Sequence, residues 1–170
     1  MALFKSISTL DDLFVSVLKT TYYAEKQITD ALPKMIEKAN NPELRAGFEQ
    51  HLRETENQVR RLEEVFRLHG TDPEADTCPA IDGIIKAGNS LAGDISDQDV
   101  RDAALAAAAQ MVEHYEIAQY GTLIAWAREL GRDDCAQLLQ QTLQEEKATD
   151  QKLTQLAEAR INRRAEAAAS

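Results

Sequence analysis

MVEHYEIAQYGTL, residues 111–123, is the stretch on which the fold turns. It is free of proline, and its apolar positions continue a pattern that starts at Ala106 and Ala109 and runs on through Tyr120, Leu123 and Leu130. That 3–4 spacing marks one buried stripe of a long helix. Glu113 and Glu116, three residues apart, fall on the same stripe. A soluble helix that turns two acids toward its own interior needs partners for them, and those partners must come from other helices.

The rest of the chain supports a helical reading. Its 170 residues hold only 7 glycines, 4 prolines and 5% aromatics, a composition that favours an all-α fold and is long enough for a substantial core. The formal net charge of −10 argues against nucleic acid or an anionic membrane surface as partner. No run approaches the roughly 20 apolar residues of a membrane span. The opening MALFKSISTLDDLF carries acids where a signal peptide needs an apolar core, so the expected location is the cytoplasm. Cys78 and Cys135 stand apart, and no disulfide framework is expected.

Working outward, the first helix is predicted over 9–40, opened by Thr9 with Asp12 three residues on, close to a capping box. Its stripe passes through Phe14, Leu18, Thr21, Glu25, Ile28 and Leu32, and Pro33 is expected to kink it. Asn40-Asn41-Pro42 ends it. A second helix follows over 43–69 through Leu44, Phe48, Leu52, Thr55, Val59, Leu62 and Phe66, stopped by Gly70. The link is short, so the two are antiparallel neighbours. Residues 70–97 are turn-rich with a short helix over 81–91, too long for a hairpin. The third long helix spans 99–130 and opens with the alanine run AALAAAA, which permits close packing. Gly131 ends it, Asp133 is the expected cap of the fourth helix, and that helix spans 133–160 before a frayed NRRAEAAAS tail. Helix pair, long crossover, helix pair is the connectivity of a ferritin-like antiparallel four-helix bundle, here one domain over 1–170. An up-down bundle with an inserted loop stays open.

Each stripe carries an acid near its middle: Glu25 on the first helix, Glu113 and Glu116 on the third, Glu146 with Asp150 on the fourth. On the second, Glu54 and Gln58 flank the stripe on the line His51, Glu54, Gln58. Reflection through the turns near 41 and 131 brings these acids to one level. A buried carboxylate without a partner costs several kcal/mol of desolvation, on the order described for buried ions. No lysine or arginine lies on the inward positions of the first, third or fourth helix. Protonation cannot settle five or six acids cheaply, whereas two divalent metals would neutralise four charges and accept the oxygen lone pairs. Oxygen-only ligation suits manganese, magnesium or iron, and the stripes as read lack the cysteine or histidine of a structural zinc site. Tyr120 is placed to hydrogen-bond a ligand or lie near a redox metal. Gln58 is expected to hydrogen-bond ligands, Asp150 either to ligate or to hydrogen-bond one. His51 and His114 are read as packing histidines.

YYAEKQI around position 25, HLRETENQVRRLEEVF over 51–66, RDAALAAAAQMVEHYEIAQYGTL over 101–123 and LLQQTLQEEKATDQKL over 138–153 resemble the YciF family of bacterial stress-response proteins, over nearly the whole chain. That family is ferritin-like and similar to rubrerythrins. The resemblance implies a homodimer, a carboxylate-rich dinuclear centre, iron as its metal with manganese as the other choice, and Glu25, Glu54, Glu113, Glu116 and Glu146 as its acids. The ExxH signature of ferritin-like sites would need histidine at positions 57 and 149, where this chain has Asn57 and Thr149; Gln58 and Asp150 stand one residue later. The functional expectation is a stress-related protein that binds this dinuclear centre inside the bundle. Whether it is an enzyme stays open; if it is one, it is an oxidoreductase acting on oxygen or peroxide, its redox partner unspecified. The alternative is a non-catalytic metal-binding protein, or a structural or adaptor homodimer stapled by its metal.

Overall fold

The computed structural model describes residues 7–168. Their elements are α1 (Leu10–Lys38), α2 (Pro42–His69), α3 (Pro79–Gly93), α4 (Gln98–Glu129), α5 (Asp133–Leu156), a π-helical turn (Ala157–Ile161) and α6 (Asn162–Ala167). The four long helices α1, α2, α4 and α5 form the bundle, and α3 lies in the crossover between its halves.

The termini follow from local chemistry. The Thr9 hydroxyl accepts the Asp12 N–H at 3.0 Å, and the Asp12 carboxylate accepts the Thr9 N–H at 3.1 Å, a complete capping box. Asn41 caps α2 with Pro42 in its first turn, where a missing N–H does no harm. Gly70 (φ 82°) and Gly131 (φ 69°) supply the left-handed turns after α2 and α4. α1 continues through Pro33, which is exposed, to Lys38.

Two expectations at the C-terminal half change. Asp133 is the first residue of α5 rather than its cap, and Arg132 in the cap position makes no side-chain cap bond. Arg132 instead reaches the Leu68 carbonyl and the Asp134 carboxylate, tying the α4–α5 turn to the end of α2. The tail is helical over Asn162–Ala167, because the π-turn directs Ile161 into the core and lets α6 pack along α4.

The core is divided. One apolar cluster, with Ile28, Leu32, Phe48, Ile81, Leu105 and Leu153, fills the end nearest the α1–α2 turn. The other, with Phe14, Leu18, Leu62, Phe66, Leu123 and Leu139, fills the opposite end. The alanine run of α4 lets α3 approach closely: a Cβ added at Gly88 would lie 2.9 Å from the Ala108 Cβ. At the first end, buried Asp102 accepts the backbone N–H groups of Asn40 and Asn41 at 2.8 and 2.7 Å, so α4 clamps the α1–α2 turn. Asp102→Ala strands both donors and is expected to cost about 2–3 kcal/mol. Urea unfolding checks this; a midpoint equal to wild type would contradict it.

Candidate metal centre

Between the two apolar clusters lies a layer of buried polar residues, contributed by all four long helices. α1 supplies Glu25, α4 supplies Glu113 and Glu116, α5 supplies Glu146, and α2 supplies His51 and Gln58; none is more than 3% exposed. The ligand atoms of His51, Glu113, Glu116 and Glu146 lie within 4.8 Å of one another. The periodicity that places them is a heptad on α2: Leu44, His51, Gln58 and Val65 recur every seven residues beside Phe48, Thr55 and Leu62, all buried.

The polar atoms of this layer are short of partners. Both oxygens of Glu113 and of Glu116, Oε2 of Glu25 and Oε2 of Glu146, Nδ1 of His51 and Oε1 of Gln58 have no hydrogen-bond partner. His51 Nε2 stands 3.1 Å from Glu113 Oε1, though not aligned as a hydrogen bond. Two contacts orient the layer from outside. Tyr120 donates its hydroxyl to Glu25 Oε1. Gln58 Nε2 donates to Glu146 Oε1 and, at 3.0 Å, to Glu145 Oε2, which also accepts from Arg61 Nη1 at 3.0 Å.

Burial sets the titration. Desolvation pushes the Glu25 carboxyl up to about 8, helped by the charge of Glu146 and opposed by the Tyr120 hydroxyl. Desolvation also raises Glu113 and Glu116 well above the usual carboxylate range, with the charge on Glu146 as the next cause. The His51 imidazole is lowered by burial. Without metal, therefore, the folded chain holds protons on carboxyls that the unfolded chain releases. Folded values raised above unfolded ones mean stability that is full below about pH 4.5 and is lost as pH rises toward 8. His51 acts oppositely, but only below its unperturbed value near 6.5. The metal-free protein is thus expected to lose stability from pH 6.5 to 8.5, by about 2 kcal/mol from Glu25 alone. Denaturant midpoints across that range check it; a flat or rising profile would contradict it.

The remaining residues singled out in the sequence sit outside the layer. Glu54 is half-buried, and its Oε1 accepts from Gln50 Nε2 at 2.8 Å. It lines an opening that also reaches Glu113. Asp150 lies half-buried on the α4–α5 seam, 3.2 Å from Gln110 Nε2 and 3.3 Å from His114 Nε2. His114 itself is exposed. His51, read from the sequence as a packing residue, is the one imidazole brought among the glutamates. It precedes Glu54 by three residues, the reverse of the ExxH order. The candidate donor set that the structure brings together is accordingly carboxylate plus imidazole, where the sequence led to an expectation of oxygen alone.

An antiparallel four-helix bundle with a crossover helix defines a ferritin-like fold, and its buried glutamate–histidine layer a candidate metal centre. The chain belongs to the DUF892 family, described as a domain of unknown function, whose model matches residues 9–166. It is 44% identical over 162 residues to Protein YciF of Escherichia coli K12, covering 95% of this chain and 98% of that one. The crystal structure of that E. coli stress protein matches with a TM-score of 0.88 over 92% of this chain and 99% of its own. A Rhodopseudomonas palustris structure, described as YcfI, a putative structural protein, shares 53% identity and a TM-score of 0.87, over 89% of this chain and 97% of that one. The fold alone is shared with an Anabaena variabilis two-domain protein containing DJ-1/ThiJ/PfpI-like and ferritin-like domains. That match has 21% identity and a TM-score of 0.61, over 91% of this chain and 38% of the other. Among the described residues no helix is long and apolar enough to cross a membrane.

Proposed function

We propose that the protein is a stress-related metalloprotein whose polar layer holds two metal ions, iron or else manganese, for chemistry on oxygen or peroxide. The observation that carries this reading is the set of partnerless oxygens on Glu25, Glu113, Glu116 and Glu146, with no lysine or arginine among the described buried residues to neutralise them. Four glutamates and an imidazole suit iron or manganese better than magnesium, which prefers oxygen donors and retained waters. His51, Glu113, Glu116 and Glu146 would hold one ion. Glu25, buried in the same layer with its Oε2 unpartnered, would help to hold the second. Bound iron or manganese would supply redox chemistry toward oxygen species.

The chain's own part is to orient and to exclude water. Gln58 fixes one oxygen of Glu146 and leaves the other open; Tyr120 does the same for Glu25. The two apolar clusters keep bulk water from either end of the layer. A homodimer belongs to the same proposal. The test is consumption of dioxygen and of hydrogen peroxide by protein reconstituted anaerobically with Fe(II) or Mn(II), with and without a reductant. Turnover that disappears on chelation supports the reading.

A second reading has its own observation, the description of the R. palustris relative as a putative structural protein. Under it, metal staples the bundle. Chelation would then lower stability, and neither oxidant would be consumed.

A further inference from the structure

The polar layer is reached from the surface by a seam between α1, α3 and α4. A cavity of about 40 Å³ occupies it. At its mouth stand the exposed Lys34 and Asn89. Its walls are aliphatic, with Ile28, Leu32, Ile85, Leu105 and Ala109. Its floor is His51 and Glu113, 3% and 1% exposed, whose Nδ1 and both carboxylate oxygens have no partner.

We propose that this cavity is a passage for a small apolar molecule of dioxygen size, ending at the His51–Glu113 edge of the centre. The inference rests on the metal-centre reading and narrows its substrate from oxygen or peroxide to dioxygen. Size is the first argument. A water-sized guest needs roughly 10–15 Å³ of such volume, so the cavity takes about three or four, enough for a diatomic and too little for a bulky organic substrate. Polarity is the second. Between the mouth and the floor the walls offer aliphatic side chains, so hydrogen peroxide would shed its hydrogen bonds on the way, whereas dioxygen has none to shed. Cavities with aliphatic walls take guests such as xenon. Rigidity is the third. The Gly88–Ala108 approach presses α3 onto α4 along one side of the seam. Lys34 and Lys38 line this cavity, whereas carboxylates of both Glu43 and Glu54, with Lys152, line the opening at the α2–α5 side that leads to Glu113.

Xenon is the probe, applied under pressure to the metal-free full-length chain and followed by NMR. The expected result is a saturable shift of the Ile28 and Leu105 methyls and of the His51 ring. Ala31→Phe, filling the mouth from half-buried Ala31, abolishes these shifts, and Ile84→Trp, filling it from α3, does the same. Circular dichroism identifies a plugged variant that fails to fold, and the other then decides. Shifts of the methyls without the His51 ring would mean that the guest stops short of the centre and would overturn the proposal. So would shifts that survive in a folded plugged variant, or no saturable shift at all. Metal uptake by the same samples is measured separately, which tells a failed passage from a failed centre.

Discussion

Glu116→Gln is expected to abolish metal binding and, in the same protein without metal, to raise stability above pH 7. The two effects share one cause. Glu116 is buried with both oxygens unpartnered, and burial holds its carboxyl well above the usual range. The amide keeps the shape, removes the charge that desolvation opposes, and offers N–H donors to neighbouring carboxylates. Metal affinity should fall by at least about 100-fold, since even groups that only orient a ligand are worth 10–100-fold. At pH 5, where the native carboxyl is already protonated, the stability difference should vanish. Metal titration and urea unfolding at pH 5 and pH 8.5 check both halves. A variant that binds metal like wild type, or is destabilised equally at both pH values, would contradict the assignment.

Metal loading is expected to release protons and to reverse the pH trend. Burial pushes the Glu25 carboxyl up to about 8 and raises Glu113 and Glu116 in the same direction, and a ligating carboxylate must give its proton up. Loading should therefore release about one proton per chain from Glu25 near neutrality and fewer as the pH rises past 8, with any release from Glu113 and Glu116 adding to it. Calorimetric heats in buffers of different ionisation enthalpy read that number. Saturating metal should add about 4 kcal/mol at a free concentration near 1,000 times Kd, and the gain should grow with pH as proton competition fades. A binding heat independent of buffer would mean that the glutamates are already ionised, or are not the ligands.

The architecture was legible because its signals are local and repeated. Thr9 and Asp12, Asn41-Pro42, Gly70 and Gly131 mark ends of the long helices, and the crossover length fixes how the pairs are joined. The acids of α1, α4 and α5 were legible because each interrupts an otherwise apolar stripe. α2 was harder. Its mean hydropathy is low, and Leu52 and Val59 pull the apparent stripe one residue away from the true seam through His51 and Gln58. The seven-residue recurrence of Leu44, His51, Gln58 and Val65 was the available signal, and it is polar at its two central positions. Glu54 and Asp150 carry acid at helical spacing from buried residues, but a rotation of one position sets each at an edge. There Gln50, Gln110 and His114 partner them. The helical tail depends on a π-turn, which adds a residue to one turn and leaves no mark in the hydrophobic pattern.

The most direct test of the central claim, that the buried glutamate–histidine layer holds metal, is elemental analysis. It should use protein purified without chelators, before and after anaerobic reconstitution with Fe(II) or Mn(II), alongside Glu116→Gln. About two metal ions per chain in wild type and none retained by the variant is the expected result. Wild-type protein that stays metal-free even after reconstitution would contradict the account and leave a bundle with a protonated acidic core.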